Sequence, residues 1–169
     1  AAEWHFIGHL QSNKVKYVVG AFTLIHSVDS IELSEEINSR AEKMGIIQNV
    51  LLEVNVSGEK GKFGVMPDEV NAVTKAVSGL RHISLRGFMT VPPYSDDPED
   101  ARPYFRMLKE LRDNAMQTGI CTDDCRELSM GMSGDFEVAI EEGATIVRVG
   151  TALFGERTSP RSNPPLSVD

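Results

Sequence analysis

The fold of this chain is indicated first by the stretch VLLEVNV at residues 50–56. Apolar residues fill its first half, and polar residues alternate with apolar ones only towards its end. A strand that faces water on one side alternates throughout, so this stretch is typical of a strand covered on both faces, as in a parallel sheet. Parallel strands need crossover connections, and the flanking sequence should therefore supply helices.

Working outward from this strand, short β-branched runs alternate with longer helical runs in both directions. Leu33, Ile37, Ala41 and Met44, for example, recur at helical spacing, and Gly45 ends that helix. The predicted strands are residues 4–8, 24–28, 50–56, 83–89, 126–130 and 145–149. The predicted helices are residues 14–19, 29–44, 67–77, 99–117 and 135–142.

Strict alternation of strands and helices leaves two architectures open: an open, doubly wound parallel sheet, or a closed (β/α)₈ barrel. Six units occupy about 155 residues, so eight units at that spacing would need about 207, which is near the low end of barrel lengths. The open sheet fits the chain as it stands. The barrel fits if about two units precede it.

Composition excludes several classes of protein. The chain has 169 residues, 41% hydrophobic and 25% charged, and its net charge is −8. Such an acidic chain without a basic patch is not a general nucleic-acid binder. No apolar run approaches the ~20 residues that cross a bilayer, and Cys121 and Cys125 are too few for a disulfide framework. We expect a cytoplasmic protein without a metal site.

The stretch LSMGMSGDF at 128–136 runs from the end of one predicted strand through a turn of small residues into a helix. Ligand sites lie at the carboxyl ends of strands in both architectures. Backbone amides at a helix start favour an anion, and Ser133 adds a hydroxyl donor. A plain tight turn with a serine or aspartate cap explains the same residues equally well.

Arg148 lies in an otherwise apolar strand, in the stretch VRVGTALFG at 147–155. Because a guanidinium keeps its charge, it must meet a carboxylate, carbonyls or a ligand. Valines flank it, which predicts Arg148 on the opposite face, inside a barrel if there is one. Gly150 and Thr151 add amides and a hydroxyl, and two such loops on successive units are typical of a barrel's phosphate site. A core ion pair between Arg148 and a glutamate is the alternative.

Two other motifs fall short of a known site. His5 and His9 are four residues apart but lack the glutamate and the helix of a zinc protease. The loop GEKGKFG at 58–64 has no serine or threonine after a Gly-Lys pair, so it is not a P-loop.

Five segments together resemble one protein family. They are HFIGHLQSNK (5–14), EVNVSGEKGKFG (53–64), GFMT (87–90), LSMGMSGD (128–135) and VRVGTALFG (147–155). The chain is similar, from about residue 4 to residue 157, to the pyridoxal phosphate homeostasis proteins. This resemblance implies a (β/α)₈ barrel of the TIM type, like the N-terminal domain of alanine racemase, that binds pyridoxal 5′-phosphate (PLP) without catalytic turnover.

The resemblance also implies roles for individual positions. Four residues of the two loops would hold the phosphate: Ser133, Gly134, Gly150 and Thr151. The other positions would surround the ring: Arg148 at the pyridine nitrogen, Met132 and Met89 along the pocket, and His5 and Asn55 nearby.

No lysine of this chain corresponds to the family's Schiff-base lysine, which the resemblance places upstream of every matched segment. We therefore expect only the last six β/α units, with residues 1–157 forming an N-terminally incomplete barrel domain. The proline-rich residues 158–169 are expected to be a disordered tail. The family implies a monomer. A dimer is the alternative, because a second copy would cover the two open edges of such a sheet.

The expected function is therefore PLP binding in intracellular vitamin B6 homeostasis, with neither nucleic acid nor membrane as a partner. A permanent cation beside the pyridine nitrogen disfavours its protonation, so the ring becomes a poorer electron sink. Two alternatives stay open: a PLP-dependent amino-acid racemase-like enzyme, and a barrel that has become an interaction module.

Overall fold

The architecture is one parallel sheet whose strands are joined by helices. The structure is a computed structural model and describes residues 2–155. The strands are β1 (His5–Phe6), β2 (Leu24–Val28), β3 (Gln48–Glu53), β4 (Ile83–Met89), β5 (Glu127–Met132) and β6 (Ile146–Arg148). The helices are α1 (Val15–Val18), α2 (Ile31–Met44), α3 (Val70–Ser78), α4 (Arg102–Gln117), α5 (Phe136–Glu141) and α6 (Thr151–Phe154). Short 3₁₀ turns, Ser12–Lys14 and Pro98–Ala101, precede α1 and α4.

The strands pair in chain order from β1 to β6, and every pairing is parallel. A doubly wound sheet reverses its strand order at a switch point, so this order excludes that alternative. The sheet is also curled: His26 Nδ1 on β2 lies 2.9 Å from Ser129 Oγ on β5. In a flat sheet three spacings of about 4.8 Å would separate those strands. The predicted fold, six units of a barrel of the (β/α)₈ type, is confirmed.

Apolar side chains form two layers, one on each face of the sheet. The larger layer lies under the helices and includes Phe88, Phe105 and Leu108, all completely buried. A smaller cluster fills the concave face: Leu24, Leu51 and Met89, with Ile146 packed against it. Both faces of the strands are therefore covered, as the stretch at 50–56 indicated.

The strand predicted at 50–56 is wrong at its carboxyl end, because β3 stops at Glu53. Beyond it the chain pairs with its own following loop: Asn55 N donates to the Val65 carbonyl at 2.9 Å, and Val65 N donates to the Glu53 carbonyl at 2.8 Å. Residues 54–56 thus begin the loop rather than extend the strand. β1 and β6 are also shorter than the predicted 4–8 and 145–149, and β5 runs two residues further than 126–130.

Most helices begin later than predicted: α2 begins at Ile31 instead of residue 29, and α3 at Val70 instead of residue 67. The predicted helix 99–117 begins at Arg102, because a 3₁₀ turn precedes it and the Asp97 carboxylate accepts a bond from Glu99 N at 3.0 Å. α6 was not predicted. The predicted tail, residues 158–169, lies outside the described residues. Within 2–155, no helix is both long and apolar enough to span a bilayer.

Candidate functional site

A chain of polar side chains crosses the concave face of the curled sheet. Arg148 Nη1 on β6 donates to Ser129 Oγ on β5 at 2.6 Å. The same oxygen lies 2.9 Å from His26 Nδ1 on β2, and His26 Nε2 lies 3.2 Å from His5 Nδ1 on β1. Four strands thus contribute to one connected set of hydrogen bonds.

Arg148 is held by uncharged acceptors. Its second terminal nitrogen, Nη2, donates to the Thr90 carbonyl at the end of β4 at 2.8 Å. Within residues 2–155 no carboxylate lies in ion-pair distance of its guanidinium. Burial lowers the pKa of Arg148, and the charges of Glu53 and Asp135 oppose that change. The core ion pair with a glutamate is therefore wrong, although Glu53 is near enough to act through its field.

His26 is completely buried. Burial, followed by the neighbouring His5 and Arg148, lowers the pKa of His26 from 6.5 to about 3. A histidine with such a pKa is uncharged at neutral pH, so its two ring nitrogens are one donor and one acceptor. Arg148 is therefore the permanent cation of this chain of hydrogen bonds, and His26 adds no positive charge to it at neutral pH.

Glu53 ends β3 on the same face. Burial and, to a lesser extent, the Asp29 carboxylate raise the pKa of the Glu53 carboxyl from 4.5 to about 7, although the Arg148 guanidinium acts to lower it. The Glu53 carboxyl has no ion-pair partner within the described part of the chain. A carboxyl in this state can gain or lose a proton near neutral pH.

The two loops that the sequence singled out meet at one point. Ser133 Oγ, from the loop after β5, accepts hydrogen bonds from Gly150 N at 3.1 Å and from Ala152 N at 3.2 Å. Both amides belong to the start of α6, directly after β6. The hydroxyl and the two amides that it gathers form a small cradle of groups that can also bind an oxygen-bearing anion.

Gly134 and Gly150 leave that cradle open. Neither has a positive φ, and a Cβ added to either would meet nothing within 4 Å. Neither backbone conformation nor packing within the chain therefore demands glycine there. Glycine at such positions lets a ligand approach the backbone closely. The residues present thus fit a phosphate group.

The remaining predicted positions divide into two sets. Met89 is buried on the concave face beside Leu24 and Leu51. Met132 is 45% exposed at the end of β5, and Thr151 is exposed at the first position of α6. Thr151 thus stands beside the cradle, whereas Met89 lies deeper, towards the middle of the sheet.

His5 and Asn55 have structural partners. His5 ends the polar chain described above. The side-chain amide of Asn55 donates to the Glu59 carbonyl at 3.0 Å, and its oxygen accepts from the Ser57 hydroxyl at 3.1 Å. Asn55 therefore shapes the loop after β3, where both polar atoms of its side chain have a partner.

An ion-pair cluster fixes the rim of the cradle. Arg102 binds Glu99 and Glu141 at 2.7 and 2.6 Å, and it also binds Glu142. This cluster joins the turn before α4 to α5, whose preceding loop carries Ser133. A shallow cavity between the turn and that loop is lined by Glu99, Glu141 and Ser133 itself.

Three functional candidates were missed by sequence reasoning: His26, Ser129 and Glu53. Each is a polar residue inside an apolar strand, the same signal that marked Arg148. Ser129 stands between Leu128 and Met130, and Glu53 between Leu52 and Val54, whereas His26 has Ile25 on one side and the polar Ser27 on the other. Applying the rule for Arg148 to every strand would have found Ser129 and Glu53.

Comparisons with known proteins agree with this geometry. A family model described as the alanine racemase N-terminal domain matches residues 1–158. The pyridoxal phosphate homeostasis protein of Aquifex aeolicus is 56% identical over 155 residues, which are 92% of this chain and 67% of that protein. This chain spans about two thirds of the length of the curated relatives it matches.

Solved structures give the same result. A crystal structure of a Bifidobacterium adolescentis protein is 48% identical, with a TM-score of 0.86, over 90% of this chain and 60% of that one. PipY of Synechococcus elongatus, solved with PLP bound, is 34% identical, with a TM-score of 0.81, over 90% of this chain and 70% of that one. The resemblance deduced from the five segments is confirmed.

Proposed function

This chain belongs to the pyridoxal phosphate homeostasis proteins, within the alanine racemase N-terminal domain family, and on that premise we propose that it binds PLP where β5 and β6 end. The observation that carries the proposal is the convergence of Ser133 Oγ with the amides of Gly150 and Ala152. PipY, a relative with the same fold, is described with PLP bound.

In this proposal the phosphate lies in the cradle. Ser133 and Thr151 donate hydroxyl hydrogen bonds, and the backbone of Gly134 and Gly150 approaches the phosphate closely. The helical start at Gly150 adds partial positive charge. Since a phosphate carries up to two negative charges, each donor to it is charge-assisted and stronger than a neutral hydrogen bond.

The ring is proposed to lie over the concave face. Arg148 faces the pyridine nitrogen, and Met89 and Met132 contribute apolar contacts. PLP supplies an aldehyde carbon and an electron-withdrawing ring when it is bound. Because the guanidinium of Arg148 is a permanent cation, it disfavours protonation of the ring nitrogen and so limits the ring's power to withdraw electrons. This supports binding and carrying PLP rather than turnover.

The wider role follows from the same premise. We assign the chain to intracellular PLP homeostasis in the cytoplasm, as a domain over residues 1–157 that takes up PLP and releases it. Its net charge of −8 argues against nucleic acid as a partner. The monomer implied by the family remains the proposed state, with a dimer over the edge strands β1 and β6 as the alternative.

The phosphate assignment is tested by Ser133→Ala and Thr151→Val. Each change removes a charge-assisted donor, so PLP should bind about tenfold more weakly or worse. Isothermal titration with PLP and with inorganic phosphate measures this. Ser78→Ala and Thr118→Val, exposed at the ends of α3 and α4, are the matched controls and should bind as the wild type does. Unchanged affinity in both site variants would show that the phosphate lies elsewhere.

The ring assignment is tested by Arg148→Glu. Reversing this charge should weaken PLP binding at least tenfold, with a smaller effect on inorganic phosphate, because the guanidinium contacts the ring rather than the cradle. The matched charge reversal is Arg81→Glu, on the exposed turn before β4. Equal losses for PLP and phosphate would contradict a specific contact with the ring.

The raised pKa of Glu53 favours a second candidate function, that of a racemase-like enzyme. A carboxyl with a pKa of about 7 is suited to accept and return a proton at neutral pH. Such an activity would exchange the α-proton of an amino acid with solvent deuterium in the presence of PLP. Exchange no faster than with free PLP would exclude the enzyme and leave binding as the function.

A further inference from the structure

His26 has no place in the proposed contacts to PLP, yet it occupies the centre of the polar chain. It touches Ser129 Oγ with one ring nitrogen and His5 with the other. The rings of His5 and His26 are 5.2 Å apart and tilted by 44°. Ser129 Oγ is also the acceptor of the shortest hydrogen bond of Arg148. A single atom, Ser129 Oγ, therefore links the His26 ring to the guanidinium of Arg148.

Counting donors and acceptors fixes the direction of every hydrogen bond in this chain of polar side chains. The guanidinium of Arg148 can only donate, so Ser129 Oγ must accept from it. The Ser129 hydroxyl still has one proton to place, and His26 Nδ1 is its acceptor. His26 must then carry its proton on Nε2, which donates to His5 Nδ1. The opposite orientation would leave the Ser129 proton without an acceptor among the described residues.

We propose that His26 is a positioning residue that orients the guanidinium of Arg148 through the hydroxyl of Ser129. While His26 Nδ1 accepts the hydrogen bond of the Ser129 hydroxyl, the lone pairs of Ser129 Oγ point towards Arg148 Nη1. Together with the Thr90 carbonyl on Nη2, this contact sets the plane of the guanidinium. Without His26 the hydroxyl can rotate, and Arg148 keeps one directional contact, around which it can pivot.

The uncharged state of His26 is part of this arrangement. A protonated ring would donate from both nitrogens, reverse the Ser129 hydroxyl and add a second cation beside Arg148. Burial together with His5 and Arg148 lowers the pKa of His26 to about 3 and prevents this. The proposal deepens the proposed function, because it is the ring contact of Arg148 that His26 would orient.

The first experiment needs no cofactor. Long-range ¹H–¹⁵N correlation spectra of the whole chain report which ring nitrogen of each histidine bears a proton. His26 should be the Nε2–H tautomer, with an Nδ1 shift typical of a hydrogen-bond acceptor. Ser129→Ala should shift the His26 Nδ1 signal. An Nδ1–H tautomer in the wild type, or no shift in Ser129→Ala, would overturn the proposal.

The second experiment separates positioning from packing. His26→Leu removes the acceptor, whereas His26→Asn keeps an oxygen at the same number of bonds from Cα as Nδ1. His26→Leu should bind PLP about tenfold more weakly but inorganic phosphate equally well, and His26→Asn should recover most of the loss. In an Arg148→Gln background, His26→Leu should have no further effect on PLP affinity. Equal losses for both ligands, or no rescue by asparagine, would assign His26 a merely structural role.

The two experiments distinguish the failure of this inference from that of the proposed function. A wild-type chain that binds neither PLP nor phosphate contradicts the function, while the tautomer spectra still decide the orientation of Ser129. A chain that binds PLP normally after His26→Leu retains the proposed function and loses the inference.

Discussion

Replacing Gly87 by alanine should lower the free energy of unfolding by about 4 kcal/mol or more. Gly87 lies on β4 with φ at +154°, opposite Glu127 on β5. A Cβ at this position would lie 1.9 Å from the Glu127 carbonyl oxygen and 2.7 Å from its nitrogen. All these atoms are backbone, so no side chain can move aside, and the two strands must separate or the backbone must strain.

Urea denaturation of the variant and the wild type measures this change. Gly8→Ala is the matched control, because Gly8 lacks a positive φ and its added Cβ would meet only Phe6, at 4.0 Å. We expect the control to change stability by less than about 1 kcal/mol. Similar effects of the two substitutions would mean that β4 and β5 can shift apart at low cost. Separating these strands should also disturb the site, since the pairing of Met89 with Ser129 is two residues further along.

Helix ends could be predicted in part, because they depend on residues that are close together in the sequence. Ser30 caps α2 by accepting a bond from Leu33 N at 3.2 Å, and Gly45 ends that helix with φ at +66°. The end at Gly45 was predicted from residue type and spacing, whereas the predicted start, residue 29, lies one residue before this cap. The meeting of the loop of Ser133 with the loop of Gly150 was also predictable, since the carboxyl ends of neighbouring parallel strands meet at one edge.

The polar chain could not be predicted, because it depends on how far the sheet curls. His26 and Ser129 are 103 residues apart and belong to strands that are not neighbours. No local pattern states that β2 will face β5, and the two residues become partners only after the sheet bends. Strand ends were predicted wrongly for a related reason: Val65, in a loop, bonds the backbone of residues 53 and 55 on the edge away from β4, where the pairing of β3 with β2 has ended.

Replacing Glu53 by glutamine should stabilise the protein increasingly as the pH rises. The folded state raises the pKa of Glu53 from 4.5 to about 7, so between these values it binds more protons than the unfolded chain. Its contribution to the free energy of unfolding therefore falls as the pH rises from about 4.5 and is at its lowest above about 7. A difference of about 2.5 pKa units corresponds to about 3 kcal/mol.

Urea denaturation at several pH values should show little difference between Glu53→Gln and wild type near pH 4, and a gain of up to about 3 kcal/mol near pH 9. Comparing the two proteins at each pH cancels every other titrating group. Glu36→Gln, on the exposed face of α2, is the matched control and should show no such growth. A gain for Glu53→Gln that stays constant with pH would mean that the carboxyl is not buried as the structure places it.

Arg148 makes the Glu53 prediction sharper, because its positive charge is the influence that lowers the pKa of Glu53. Asp29 and burial both act in the other direction. In an Arg148→Gln background the pKa of Glu53 should therefore rise further, and the gain from Glu53→Gln near pH 9 should be larger than in the wild type. A smaller gain in that background would mean that the positive charge of Arg148 does not lower the pKa of Glu53. An increase would place Glu53 within the field of the residue proposed to face the PLP ring.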